Sequence, residues 1–259
     1  KILEFLSNVK CKHAPIFIAK GTIRILDPRF LRDFEYSERP RNNEFTYIVM
    51  EQFGPSAFDK MDDIIYSEAA IIKLGVHIMD SLENLHQAGY AHNDIKQANI
   101  TIGRPGDPFD GRARLIDYGV AEKLVTNDID YYKLSLTSKE TDFKGNILMT
   151  TTERLRGYPP TRRDDLVNLI LMLIFMLDSL PYSVYYFKSN KSEFEKLKYL
   201  RSKKKAMKPK DYCSIGRTKF LLPILTEIWA LKPSDVPNYD KFRFLLNYQL
   251  LEIGKIPSN

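Results

Sequence analysis

The residues of this 259-residue chain whose types and spacing could do chemistry lie in His92-Asn93-Asp94-Ile95-Lys96-Gln97-Ala98-Asn99. They are answered eighteen residues after Asn99 by Asp117-Tyr118-Gly119. Asp94 supplies a carboxylate, Lys96 a cation, and Asn99 and Asp117 supply side-chain oxygens. Moving a γ-phosphoryl group from ATP to a hydroxyl needs that set: a carboxylate to accept or orient the hydroxyl proton, a positive charge at the phosphate, and oxygen ligands for Mg²⁺. We therefore read Asp94, Lys96 and Asn99 as catalytic, and Asn99 and Asp117 as metal ligands. The competing reading, that Asp94 and Lys96 are solvated charges on a surface loop, loses ground once the second motif is counted.

The elements that must position these groups are legible around them. Strand-like runs at Gly89-Tyr90-Ala91 and Ile100-Thr101-Ile102 flank the loop and would point Asp94, Lys96 and Asn99 into one cleft. Ala113-Arg114-Leu115-Ile116 ends at Asp117, and Gly119, having no Cβ, is expected to make the sharp turn. Two adjacent strands would then deliver Asn99 and Asp117 to one metal. A helix from about Ser67 to Gln87 feeds the loop, with Ile71, Leu74, Ile78, Leu82 and Leu85 as its core stripe. Leu166 to Leu177, interrupted only by Asn168, is too short to cross a bilayer and predicts a helix buried on all sides.

The order Asp, Lys two later, Asn five later, then Asp-aromatic-Gly after a strand resembles the catalytic loop and metal-binding turn of the protein kinases. Val49-Met50-Glu51-Gln52-Phe53-Gly54-Pro55-Ser56 is similar to the hinge of the casein kinase 1 superfamily. The segment after Gly119 to Glu153, with Tyr131, Tyr132, Ser135, Thr137, Ser138 and Thr141 among charges, stands where kinases place an activation loop, and Gly145 to Gly157, followed by Arg162-Arg163-Asp164-Asp165-Leu166, resembles the end of that loop in casein kinase 1 and the vaccinia-related kinases. Pro237 to Leu246 is similar to the run that closes the casein kinase 1 domain. The resemblance implies an α+β, protein-kinase-like fold, with residues 1–53 as a partial N-lobe and hinge and 54–259 as a mainly helical C-lobe. It implies ATP and Mg²⁺ as cofactors and protein as substrate. Met50 becomes the gatekeeper, the backbone of Glu51 and Phe53 meets the adenine edge, and Thr101 and Ile116 lie beside the nucleotide. His92 becomes a structural residue under the site, and Asp165 a structural acceptor for the catalytic-loop backbone.

Upstream, Ile2, Leu3, Leu6 and Val9 have helical spacing, 16–25 reads as a strand, 26–44 (with Pro28, Pro40, Asn42 and Asn43) as an exposed loop, and Phe45 to Glu51 as a strand. These resemble the end of the N-lobe helix and the two strands after it. No Gly-x-Gly-x-x-Gly occurs, and no lysine-bearing strand precedes the helix; Glu4 reads as a surface residue. The chain begins at Lys1 and reads as a piece of a longer protein. Two functions stay open: a serine/threonine kinase, or a pseudokinase serving as a structural or scaffold subunit of a larger assembly. Three departures from the family pattern bear on the choice. Asn93 stands where an arginine pairs a loop phosphate, Leu148 where an arginine reads primed substrates, and Thr101 where a larger aliphatic residue floors the adenine.

Composition sets the remaining bounds. The chain is 44% hydrophobic and 28% charged, enough for one domain or two packed lobes. Its formal charge of +6 gathers between Lys196 and Lys210, in Lys198, Arg201, Lys203, Lys204, Lys205 and Lys208 without an acidic residue. Such a cluster is either a solvated face or a surface for an acidic partner, and no groove-reading motif supports nucleic acid. Cys11 and Cys213 make no disulfide framework, and His13, His77, His86 and His92 have no metal-ligand spacing. An intracellular, cytoplasmic setting is expected.

Overall fold

In a computed structural model of the chain, the described residues are 1–25, 43–59, 67–106, 110–140, 143–213 and 216–254. Nearly all of the loop read at 26–44 lies outside them, as does Thr141 of the activation-loop reading. Helix α1 (Ile2–Asn8) buries Leu3 and Leu6 against Ala14, Leu85, Tyr118 and Ala121. Strands β1 (Phe17–Arg24) and β2 (Glu44–Met50) follow and pair antiparallel, with Lys20 opposite Ile48 and Thr22 opposite Thr46. Glu4 lies at the surface, as expected, where Lys20 on β1 reaches its carboxylate at 2.5 Å.

Helix α2 (Glu68–Gln87) starts where the Ser67 side chain accepts from the Ala70 N–H, and its apolar stripe is buried along its whole length. Four short strands then build the platform of the site. These are β3 (Tyr90–Ala91), β4 (Ile100–Ile102), β5 (Ala113–Leu115) and β6 (Glu122–Lys123). β4 pairs β5 antiparallel, with Ile100 opposite Leu115, and β3 pairs β6. Ile100, Ala113 and Leu115 point into the main core, so Thr101 and Arg114, opposite each other, occupy the other face.

Beyond the platform come α3 (Asp128–Ser135), which sequence reading left as loop, and α4 (Thr152–Leu155). α3 has almost no apolar face, and the Asn127 cap on the Asp130 N–H was the signal for it. Helix α5 (Arg162–Leu177) is the buried one. Thr161 and Asp164 close a capping box at its start, and Leu166 to Ile174 are buried without a break. It packs on α2 so closely that a Cβ on Gly75 would come 2.7 Å from Leu173 Cδ1. Each such leucine or isoleucine contributes roughly 1.5–3 kcal/mol of burial.

The chain ends in α6 (Ser183–Lys188), α7 (Glu193–Ala206), α8 (Pro209–Cys213), α9 (Leu222–Ala230) and α10 (Tyr239–Gly254), the last lying along α2. Here the basic cluster needs correcting. Lys204 is not part of a solvated face: it is 2% exposed, and its ammonium donates to the carbonyls of Ile147 at 3.0 Å, Leu148 at 2.7 Å and Thr150 at 2.7 Å. Burial pushes its pKa well below the usual lysine range. Arg201 pairs with Glu140, so the exposed charges of that run are Lys198, Lys203, Lys205, Lys208 and Lys210.

Candidate active site

The platform of β4 and β5 brings the two motifs together. The Ile116 N–H donates to the Asn99 carbonyl at 2.9 Å, so the backbone just before Asp117 is tied to the end of the catalytic loop. One carboxylate organises that loop. Asp94 Oδ2 accepts from Lys96 Nζ at 2.7 Å and from Asn99 Nδ2 at 2.9 Å, and the Asp94 carbonyl accepts from the same Asn99 amide at 2.9 Å. Asp94 and Asn99 are buried while Lys96 is half-exposed. With its amide nitrogen so engaged, Asn99 keeps its side-chain oxygen as an acceptor. Asp117 is exposed, and only its Oδ1 is engaged, by the Gly119 N–H at 3.1 Å. A carbonyl oxygen and a carboxylate oxygen fit a hard divalent cation such as Mg²⁺. Among the described residues no group of three or more His, Cys, Asp and Glu side chains could hold a metal by itself.

The turn after Asp117 uses the missing Cβ of Gly119 as expected, and adds a feature of its own. The positive φ, +62°, belongs to Asp117 and not to Gly119. Gly119 serves by making room, since a Cβ there would come 3.0 Å from Asp117 Oδ1. Asn93 also has a positive φ, +68°. It is held there by its own N–H on Asp165 Oδ1 at 2.9 Å and its amide on the Val120 carbonyl at 3.0 Å.

Asp165, at the start of α5, is the anchor under the loop. It accepts from the His92 N–H at 2.6 Å, the Asn93 N–H at 2.9 Å and His86 Nε2 at 3.0 Å, while His86 Nδ1 meets the Tyr239 hydroxyl at 2.6 Å. Burial alone would raise the Asp165 pKa, but the bond from His86 and the neighbouring histidines outweigh it and hold the carboxyl below its usual range. The sequence pointed to Asp165 but gave His86 and Tyr239 no role; a histidine directly after Leu85 of the core stripe was the available signal. Burial pushes the His92 pKa down and keeps the ring neutral. Its Nε2 then donates to the Ile116 carbonyl at 3.0 Å, and Nδ1 accepts from the Asp94 N–H at 3.3 Å.

A cavity of about 430 Å³ opens beside these groups, with Ile48, Met50, Ile116 and Asp117 among its walls. Of the residues expected at a nucleotide, Met50 and Ile116 line it. Glu51 donates its N–H to the Ile16 carbonyl and turns its side chain to the rear of the hinge, where it pairs with Arg114. The Glu51 carbonyl and the Phe53 N–H enter no hydrogen bond among the described residues, and the Phe53 ring lies under the Arg114 guanidinium. Thr101 does not reach the cavity wall. It is buried and bridged to Ser56 by the hinge extension, and its hydroxyl has no hydrogen-bond partner among the described residues.

A strand hinge, a helical lobe and a loop carrying Asp94, Lys96 and Asn99 beside Asp117 define a kinase-type phosphotransfer fold. The chain belongs to the protein kinase domain family, whose model matches residues 31–233. It is 30% identical over 209 residues to the casein kinase 1-like protein HD16 of Oryza sativa subsp. japonica, covering 78% of this chain and 28% of that protein. It is 26% identical over 212 residues to the B1 kinase of vaccinia virus strain Ankara, covering 79% and 67% respectively. Casein kinase I homolog 3 of Schizosaccharomyces pombe is 25% identical over 215 residues, covering 82% of this chain and 47% of the yeast protein. The chain is thus a protein-kinase-like domain, similar to casein kinase 1 and to the B1 kinases. It spans about a quarter of the rice relative and about half of the yeast one. Kinases of this family use ATP and Mg²⁺ and act on proteins. No described helix is long and apolar enough to cross a membrane.

Proposed function

We propose that the protein containing this domain transfers the γ-phosphoryl group of ATP to serine or threonine hydroxyls of a protein substrate. The observation that carries the reading is the convergence of Lys96 and Asn99 on one oxygen of Asp94, with Asp117 tied alongside through Ile116. In this reading Asp94 orients the acceptor hydroxyl and takes up its proton. Lys96 swings from Asp94 to the γ-phosphate. The side-chain oxygens of Asn99 and Asp117 hold Mg²⁺, which when bound neutralises charge developing on the phosphates. The adenine enters the 430 Å³ cavity against Met50 and Ile116 and meets the Glu51 carbonyl and Phe53 N–H at the hinge.

Residues 1–53 form the lower part of an N-lobe with the hinge, and 54–259 the C-lobe; the main hydrophobic core, whose described members all lie beyond residue 53, supports that division. Asn93 on Asp165 and Val120 holds the loop without a cation to pair an activation-loop phosphate, so the activity is independent of phosphorylation there. The two cysteines are unpaired, in keeping with a cytoplasmic protein.

The test is ATP binding by the full-length protein with and without Mg²⁺, beside Asp117→Asn, together with phosphoryl transfer to a mixed acidic protein substrate beside Asp94→Asn. Mg²⁺-dependent binding lost in Asp117→Asn, with transfer lost in Asp94→Asn, is expected. No binding at millimolar ATP would leave a scaffold in place of an enzyme.

A further inference from the structure

A second concavity lies on the rear of the hinge, away from the chemistry. A cavity of about 580 Å³ and a second of about 230 Å³ share Arg114 as a common wall. Together they are within the size range of small-ligand sites. Their walls carry the cations Lys10, Lys12, Arg104, Arg112 and Arg114 against the carboxylates Glu51 and Asp80. Both carboxylates are already committed: Glu51 to Arg114 and to the Ile16 N–H at 2.9 Å, Asp80 to Arg243 at 3.1 Å. Lys10, Lys12 and Arg112 are exposed, and their side chains make no hydrogen bond or ion pair among the described residues. His13 and His77, in the smaller cavity, have pKa values pushed down by burial, so they add donors without adding charge near neutrality.

Arg114 is the built part of this site. It is 6% exposed, pairs with Glu51 and lies over the Phe53 ring at 4.5 Å, so the same side chain touches the cavity and two hinge residues. We propose that the rear of the hinge is a binding site for a small ligand carrying two or more phosphate groups, and that its occupation is coupled to nucleotide affinity through Arg114. Arginine forks match phosphate oxygens in pairs, whereas one carboxylate would engage only a fraction of the cations present. A ligand drawing on Arg114 competes with Glu51, and Glu51 and Phe53 are the residues whose backbone meets the adenine. The coupling half of the proposal rests on the kinase reading; the binding half does not.

Inorganic tripolyphosphate is the probe, titrated calorimetrically into the full-length protein at about 0.15 M salt, where loose surface attraction is largely screened. Binding is expected in the wild type and in Asp117→Asn. It should weaken by at least about tenfold in the exposed double variant Lys12→Glu, Arg112→Glu, a loss of about 1.4 kcal/mol. Absence of binding, binding unchanged by the charge reversals, or binding lost in Asp117→Asn would each overturn the site. Saturating tripolyphosphate should then change the dissociation constant of a fluorescent ATP analogue by at least about fivefold in the wild type and not in the double variant. Equal analogue affinity with and without tripolyphosphate refutes the coupling. A protein that takes no nucleotide but still binds tripolyphosphate refutes the kinase reading, and with it the coupling, while leaving the site standing.

Discussion

Lys204→Met removes the one ammonium that ties α7 to the segment ending at Thr150. The side chains are similar in length, so the change is mainly electrostatic. Three carbonyls lose a donor, but Leu148 keeps the Tyr182 hydroxyl at 2.8 Å, leaving Ile147 and Thr150 without their described partners. A buried acceptor left unmet costs roughly 1–3 kcal/mol, which puts the gross loss at about 2–6 kcal/mol. Relief from burying a charge, the same burial that lowers the Lys204 pKa, offsets part of this. A net loss of about 2–4 kcal/mol follows. For a domain of this size that is a fall in melting temperature of about 5–15 °C. Thermal and urea unfolding of Lys204→Met should be compared with Lys205→Met, an exposed neighbour expected to change stability by less than about 0.5 kcal/mol. A Lys204→Met protein melting within about 1 °C of wild type would refute the reasoning, and the clamp would then be incidental to the fold.

Asp165→Asn leaves the N–H groups of His86, His92 and Asn93 competing for one carbonyl oxygen. We expect a loss of about 3 kcal/mol in urea unfolding and faster hydrogen exchange at Asn93; unchanged exchange would show that the loop is held otherwise. Gly54→Ala places a Cβ 2.2 Å from the Ile102 carbonyl, so the hinge must shift. The expected cost is about 1–3 kcal/mol with weaker nucleotide binding, and a neutral variant would sink this account. Burial lowers the pKa values of His13, His77 and His92, so below about 6.5 the unfolded chain takes up protons that the fold refuses. Stability is therefore full above that pH and falls on acidification, with a further loss below about 3.8 as Asp165 is protonated. Urea midpoints at about pH 7.5 and 5.5 check the first step, and an equal or higher midpoint at the lower pH contradicts it.

Those predictions draw on two kinds of feature, which the sequence reveals to different degrees. Periodicity reports elements with one apolar face or none exposed, so α2 and α5 are readable to within a few residues. Fixed spacing reports a loop whose geometry is set locally, so the grouping of Asp94, Lys96 and Asn99, with Asp117 tied alongside, is legible from their order. Neither reports what depends on a distant partner. Lys204 sits in a run of lysines and looks solvated; only the meeting of α7 with residues 147–150 makes it a buried donor. Arg114 is one residue among apolar strand neighbours, and its role appears only when β5 is set beneath the hinge. α3 was missed because its helix is specified by an Asn127 cap and not by apolar spacing. At the turn, the need for a residue without a Cβ at 119 is legible, but nothing in the sequence shows that Asp117, two positions earlier, takes the positive φ.

That choice of residue bears on function. A side chain in the left-handed region costs roughly 1–2 kcal/mol in general, and less for Asn and Asp, whose short polar side chains bond locally. Asn93 and Asp117 both take that conformation, one at the start of the loop that carries Asp94 and the other in the turn beside it. Glycine at 93 would avoid the strain, but it would forfeit the bond to Val120 that fixes the loop from the far side. Glycine at 117 would avoid it too, and would remove the carboxylate. The surroundings enforce both conformations: Asp165 grips the Asn93 N–H, and the backbone at Gly145 approaches so closely that a Cβ there would stand 2.1 Å from the Asn93 carbonyl. Packing has no need of an exposed carboxylate at 117. Strain retained where it costs stability and positions a polar group is the pattern of a site kept for its chemistry, which favours phosphoryl transfer over a scaffold role.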